Sequence, residues 1–190
     1  MKTLKTCCLT ISLVTASLAA NAGTFEEGTA ALMQHDHATA AKHFAVASEN
    51  GHLDAQYNLG LMLANGYGVA KDDAKAVEWY RKAAEKGHIS AQSNLAFMIS
   101  AGRGTKQDDA EALAWYQKAA EQGDSAAQAS LGLRYLNGRG VPKDETKAIY
   151  WLQSAGMQGN IAAKQALRSI YGGAGTHAVA SEPVAEVTKK

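Results

Sequence analysis

The chain has 190 residues, of which 38 are alanine and 18 glycine, while valine and isoleucine together supply only 14. A sequence so rich in the best helix former and so poor in β-branched residues argues against a sandwich, a barrel or a parallel sheet, and predicts an all-α protein with close helix contacts. The formal net charge of +1 leaves no strong field for a nucleic acid or an anionic membrane surface.

The first 22 residues have the three parts of a secretory signal peptide. Lys2 and Lys5 are followed by a short apolar run from Cys7 to Val14, and the segment closes with Ala20-Asn21-Ala22. Cleavage is expected after Ala22, giving a periplasmic or secreted protein. Both cysteines, Cys7 and Cys8, leave with the leader, so no disulfide or thiolate chemistry is expected in the mature chain. Losing two lysines and no acid takes the formal charge from +1 to −1. No later segment approaches the roughly 20 apolar residues of a membrane helix, so no membrane insertion is expected.

An atypical hairpin is predicted over 24–51, with helices at about 24–35 and 37–51 joined by Gln34-His35-Asp36. From there the chain repeats. Trp79, Trp115 and Trp151 lie 36 residues apart, and the same step relates Leu59, Leu95, Leu131 and Leu167. It also relates Gly66, Gly102 and Gly138; Gly68, Gly104 and Gly140; Asp72, Asp108 and Asp144; and Gly87, Gly123 and Gly159. Three full units are read at 55–90, 91–126 and 127–162, which makes this a repeat array.

Each unit reads as two antiparallel helices, A then B. In the first unit Ala55, Leu59, Met62 and Leu63 form the apolar stripe of helix A, which stops at Gly66-Tyr67-Gly68. Asp72 caps helix B, whose predicted buried stripe is Ala76, Trp79, Tyr80, Ala83 and Ala84, and Gly87 ends it. Small residues let the helices approach, and the indoles are expected to fill the gaps between units. Ala163, Leu167 and Tyr171 give one further helix A over 163–171 as a cap. The segment 173–190, with Pro183 and little apolar content, is expected to be a disordered tail.

The run Ala55-Gln56-Tyr57-Asn58-Leu59-Gly60, with Gly66-Tyr67-Gly68, Asp72, Lys75-Ala76, Trp79-Tyr80, Lys82-Ala83-Ala84 and Gly87, resembles the Sel1-like repeat, a relative of the tetratricopeptide repeat. The resemblance spans about 24–171. It implies a right-handed α-solenoid of about nine helices acting as a protein-binding adaptor. It also implies an envelope partner, since exported bacterial members bind sensor kinases and assembly or motility components. Some cysteine-rich members are associated with β-lactam binding or hydrolysis, but the cross-linking cysteines are missing here.

No Gly-x-Ser-x-Gly elbow, His-Glu-x-x-His or phosphate loop is present, and the Gly-x-Gly elements follow helices rather than strands. The expectation is a monomeric, non-enzymatic scaffold without a cofactor. Its partner-binding surface is assigned to the A-helix face, described in tetratricopeptide-like stacks as concave: Tyr57, Leu61, Asn65, Ser93, Phe97, Leu133, Leu136 and Asn137. Leu61, Phe97 and Leu133 occupy one equivalent position in three units and suggest a stepped apolar groove for a peptide or helix. Two alternatives stay open: an enzyme or binder acting on cell-wall or β-lactam-like molecules, and a metal site built from His35, His37 and His43, with His52 nearby.

Overall fold

The computed structural model describes residues 24–172. The leader predicted over 1–22 and the tail predicted over 173–190 lie outside the described residues.

Every described element is an α-helix. Helix α1 covers 24–33. It is followed by α2 (His37–Glu49), α3 (Leu53–Asn65), α4 (Asp73–Glu85), α5 (Ile89–Ala101), α6 (Asp109–Glu121), α7 (Ser125–Asn137), α8 (Glu145–Met157) and α9 (Ile161–Gly172). From α2 onward each helix packs on the next in chain order, and α9 also touches α7. The result is the predicted solenoid, in which α3, α5, α7 and α9 are the A helices and α4, α6 and α8 the B helices of the full units.

Local chemistry sets the helix limits. The N-cap of each B helix is an aspartate, Asp36, Asp72, Asp108 or Asp144, whose side chain accepts a backbone N–H from the first turn. The A helices use a more varied set at one position: His52, His88, Asp124 and Asn160 accept from the amides of Ala55, Ala91, Ala127 and Ala163 at 3.3, 3.1, 2.6 and 3.1 Å. The C-cap of α3 is Gly66 at φ 75°, and its N–H returns to the Met62 carbonyl.

The core follows the predicted stripes with one correction. Ala76, Tyr80, Ala83 and Ala84 are buried on α4, as are Ala55, Leu59, Met62 and Leu63 on α3. The tryptophans, however, are only half-buried at 79, 115 and 151 and pack against the margin of the core. Lys82 and Lys118 lie over the rings of Trp79 and Trp115, at 3.8 and 4.2 Å from their centroids. The central side chain of each hairpin is the next residue, Tyr80, Tyr116 or Leu152. Helix B is amphipathic, and at about 100° per residue two successive positions cannot both point inward fully; the indole, being longer, lies along the flank.

Contacts between units repeat with the same 36-residue step. Gln56, Gln92 and Gln128 are buried and donate to the carbonyls of Ser48, Ala84 and Ala120 at 3.2, 3.1 and 3.1 Å. Gln122 and Gln158 extend this by donating to Gln92 and Gln128 at 2.7 and 2.8 Å. On the Gly-x-Gly side, Arg103 bridges to Asp73 at 2.7 Å and Arg139 to Asp109 at 2.9 Å, while His37 and Tyr67 stack at the equivalent place in the first joint.

Candidate functional site

The A and B helices differ in charge. Helices α3, α5 and α7 contain only two charged residues between them, Asp54 and Arg134, whereas α4 alone contains six. A face depleted of charge and carrying half-exposed apolar groups has the composition of an interface centre.

The residues predicted for partner binding fall into three groups. Phe97 is 52% exposed, the most open of its three equivalents, while Leu61 and Leu133 are half-buried. Leu133 packs beside Ala129, Leu152 and Ala155 at the C-terminal end of the array. Tyr57 and Ser93 are engaged in joints between units: Tyr57 stacks on His88 at 4.6 Å, and the Ser93 hydroxyl donates to Asp124 at 3.2 Å. Asn65 and Asn137 are exposed at the rim, their amides donating to the carbonyls of Leu61 and Leu133 at 2.8 and 2.9 Å, and Leu136 is half-buried next to Asn137.

Phe97, Leu133 and Asn137 come together in a cleft of about 360 Å³ between α5, α6 and α7, with Ser100, Ala101, Tyr116, Ser130, Arg134 and Arg139. The other five predicted residues do not line it. Arg134 was not anticipated. It occupies the buried position held by Met62 and Met98 in the preceding units, and its side chain is 6% exposed. Its guanidinium donates to the Asp109 carboxylate at 3.1 Å and to the Ser100 hydroxyl, and lies over the Tyr116 ring at 5.1 Å from the centroid. Reading the repeat column Met62, Met98, Arg134 would have exposed the anomaly, because a cation at a core position demands a partner.

The electrostatics are consistent with that pairing. Burial pushes the Asp109 carboxyl up, but the hydrogen bonds and charges of Arg139 and Arg134 outweigh it and hold the group below its ordinary 3.8. Burial raises the Tyr116 phenol above 10.0.

The histidines are dispersed. His43 pairs with Glu27 at 3.1 Å, His37 stacks on Tyr67, His35 sits in a turn at φ 59°, and His52 caps α3. Among the described residues no three histidine, cysteine or acidic side chains converge on a point that suits a metal ion.

Comparison with known proteins fits this architecture. A profile described as the Sel1 repeat matches residues 18–52, 53–88, 89–124 and 125–160. No curated protein matches. The chain is similar to the solved structure of c5321, a protective antigen of uropathogenic Escherichia coli strains displaying an SLR fold, with 39% identity, a TM-score of 0.77, and coverage of 81% of this chain and 34% of that one. It is also similar to a Sel1 repeat protein from Oxalobacter formigenes, with 35% identity, a TM-score of 0.72, and coverage of 80% and 63%. The chain thus spans about a third of the first protein and less than two thirds of the second. Cysteine rich protein B of Helicobacter pylori, at 23% identity and a TM-score of 0.54 over 66% of this chain and 95% of that one, shares the fold.

Proposed function

The chain belongs to the Sel1 repeat family, whose repeats generally mediate protein–protein interactions, and on that premise we propose that it is a non-enzymatic adaptor of the bacterial envelope. Its partner, a peptide or helix of an envelope protein, binds along the A-helix face. The observation that carries this reading is the asymmetry of charge. Three consecutive A helices present Phe97, Leu61, Leu133 and uncharged polar groups, with Asp54 and Arg134 their only charged residues. Solvation alone does not call for such a surface; a protein interface does.

Export is part of the proposal and rests on the basic start, short apolar run and Ala-x-Ala close of residues 1–22. Among the described residues no helix is long and apolar enough to cross a membrane.

Site-specific photo-crosslinking in the living bacterium tests the reading. A photoreactive residue at Phe97 is expected to capture a discrete adduct, and one at Glu121 on the B-helix side is expected to capture none. Equal labelling from both positions, or adducts from Glu121 alone, overturns the assignment of the face.

A further inference from the structure

Arg134 and Arg139 reach the same oxygen, Asp109 Oδ1, at 3.1 and 2.9 Å. One carboxylate balances one guanidinium, so the trio carries one positive charge in excess. Nothing in the cleft compensates it, since none of the nine lining residues is an acid. Arg134 is buried, with bonds to Asp109, to Ser100 and, at 3.4 Å, to the Arg139 carbonyl. Arg139 is not. Its side chain is 50% exposed, its Nε is held by Asp109, and its Nη2 donates to the Ser100 carbonyl at 2.9 Å. The excess charge is therefore offered to solvent through Arg139, on a guanidinium whose orientation is already held by two bonds.

Apolar surface lies in the same cleft. Phe97 stands 52% exposed, with Leu133 and Ala101 beside it. The volume of about 360 Å³ is at the small end for a ligand pocket and suits a few side chains of a linear segment. The anchor assigned here is an internal side chain, and binding of amidated peptides distinguishes it from a chain terminus.

We propose that this cleft takes an acidic–apolar segment of a protein partner: an internal Asp or Glu pairs with Arg139, and a large apolar side chain a few residues away packs on Phe97 and Leu133. The proposal deepens the adaptor reading above and rests on it. A basic segment meets two guanidiniums, and a neutral one leaves the excess charge uncompensated. An arginine pre-oriented by protein bonds favours a carboxylate because its planar fork matches that group in two-point contact.

The test is selection of phage-displayed random dodecapeptides on the full chain, followed by calorimetric titration of amidated synthetic winners. Winners are expected to combine Asp or Glu with Phe, Leu, Ile or Met. Arg139→Gln should weaken an acidic winner about tenfold and reduce its salt dependence, Phe97→Asp should abolish binding, and selection on Arg139→Glu should exchange the acid for Lys or Arg. Because Arg139 also bridges two units, a second variant leaves it in place: Ala101→Glu, at an exposed position of the cleft wall, puts a competing carboxylate there and should weaken the same peptides.

Winners without acidic preference, or indifferent to both Arg139→Gln and Ala101→Glu, overturn the proposal. If those winners still require Phe97, the groove stands and only its acid specificity falls. If they ignore Phe97 as well, or no peptide is selected, the A-face reading falls with it. Winners that bind only with a free terminal carboxylate, and not as amides, overturn the assignment to an internal side chain.

Discussion

A β-carbon on Gly104 would overlap the carbonyl group of Asp73, so the loop that ends α5 rests directly on the backbone at the start of α4. Gly68 stands in the same relation to His37, and Gly140 to Asp109. The neighbouring Arg103 then bonds the Asp73 carboxylate. The Gly-x-Gly element thus ends a helix with its first glycine and, with its second, seats one unit on the one before.

Gly104→Ala is expected to be among the most damaging small substitutions in the chain. Its φ of +68° costs alanine about 1–2 kcal/mol, and the overlap with Asp73 adds a displacement of the joint. Gly123→Ala, at φ +93° with nothing within 4 Å, carries the conformational cost alone. In urea titrations the first variant should lose at least twice the stability of the second; equal losses would show that the close approach contributes nothing.

The histidine caps are predicted to be replaceable by shorter acceptors. His88→Asn, which imports the side chain that caps α9, should keep the cap. Both variants lose the Tyr57 stack, so the difference between them reads the cap: His88→Ala, which also leaves the Ala91 amide without its acceptor, should be less stable than His88→Asn by about 1 kcal/mol. Thermal melts of the two variants against the parent decide it.

Tyr116→Ala should be more destructive than Trp115→Ala, despite the larger indole. Tyr116 is 5% exposed in the middle of its hairpin, so its loss should cost about 3–5 kcal/mol. Half-buried Trp115 should cost about half that. A reversed order in chemical denaturation would mean that the margin, not the hairpin centre, carries the packing.

Acid should weaken the fold through the joints and caps. Hydrogen bonds from Arg103 at Asp73, and from Arg139 and Arg134 at Asp109, hold these carboxyls below 3.8 in the folded state, and first-turn bonds do the same at Asp36, Asp72 and Asp144. A folded value below the unfolded one gives stability that is fully present above pH 3.8 and is lost as pH falls through the lowered values. The urea midpoint should be flat from pH 7 to about 5 and drop below 4. Asp109→Asn should lower the plateau and flatten the acid limb; an unchanged limb argues against the Arg139–Asp109–Arg134 cluster as a contributor.

Alkali acts from the other side. Burial pushes the Tyr80 phenol up from 10.0 to about 12, so stability present below pH 10 is lost as pH rises toward 12. Ultraviolet titration should show Tyr80 ionising together with unfolding, and the Tyr80→Phe variant should lose that step.

The helices, their order, the 36-residue register, the aspartate caps and the glycine stops are all legible in the amino-acid sequence. All of these depend on bonds within a few residues and on side chains sharing one helix face, and both leave a periodic trace. The sequence also marks Phe97 and Leu133 as surface candidates, because they recur at one position off the core stripe. Only the folded array settles what spans the units: that Tyr57 and Ser93 serve as joints, that Tyr80, Tyr116 and Leu152 rather than the tryptophans fill the hairpin centres, and that Arg134 and Arg139 converge on Asp109. Those pairs lie 25 to 31 residues apart. Whether such residues meet depends on how one hairpin is rotated against the next, and that angle comes from the summed fit of side chains and close backbone approaches such as Gly104 on Asp73, which no single repeat encodes.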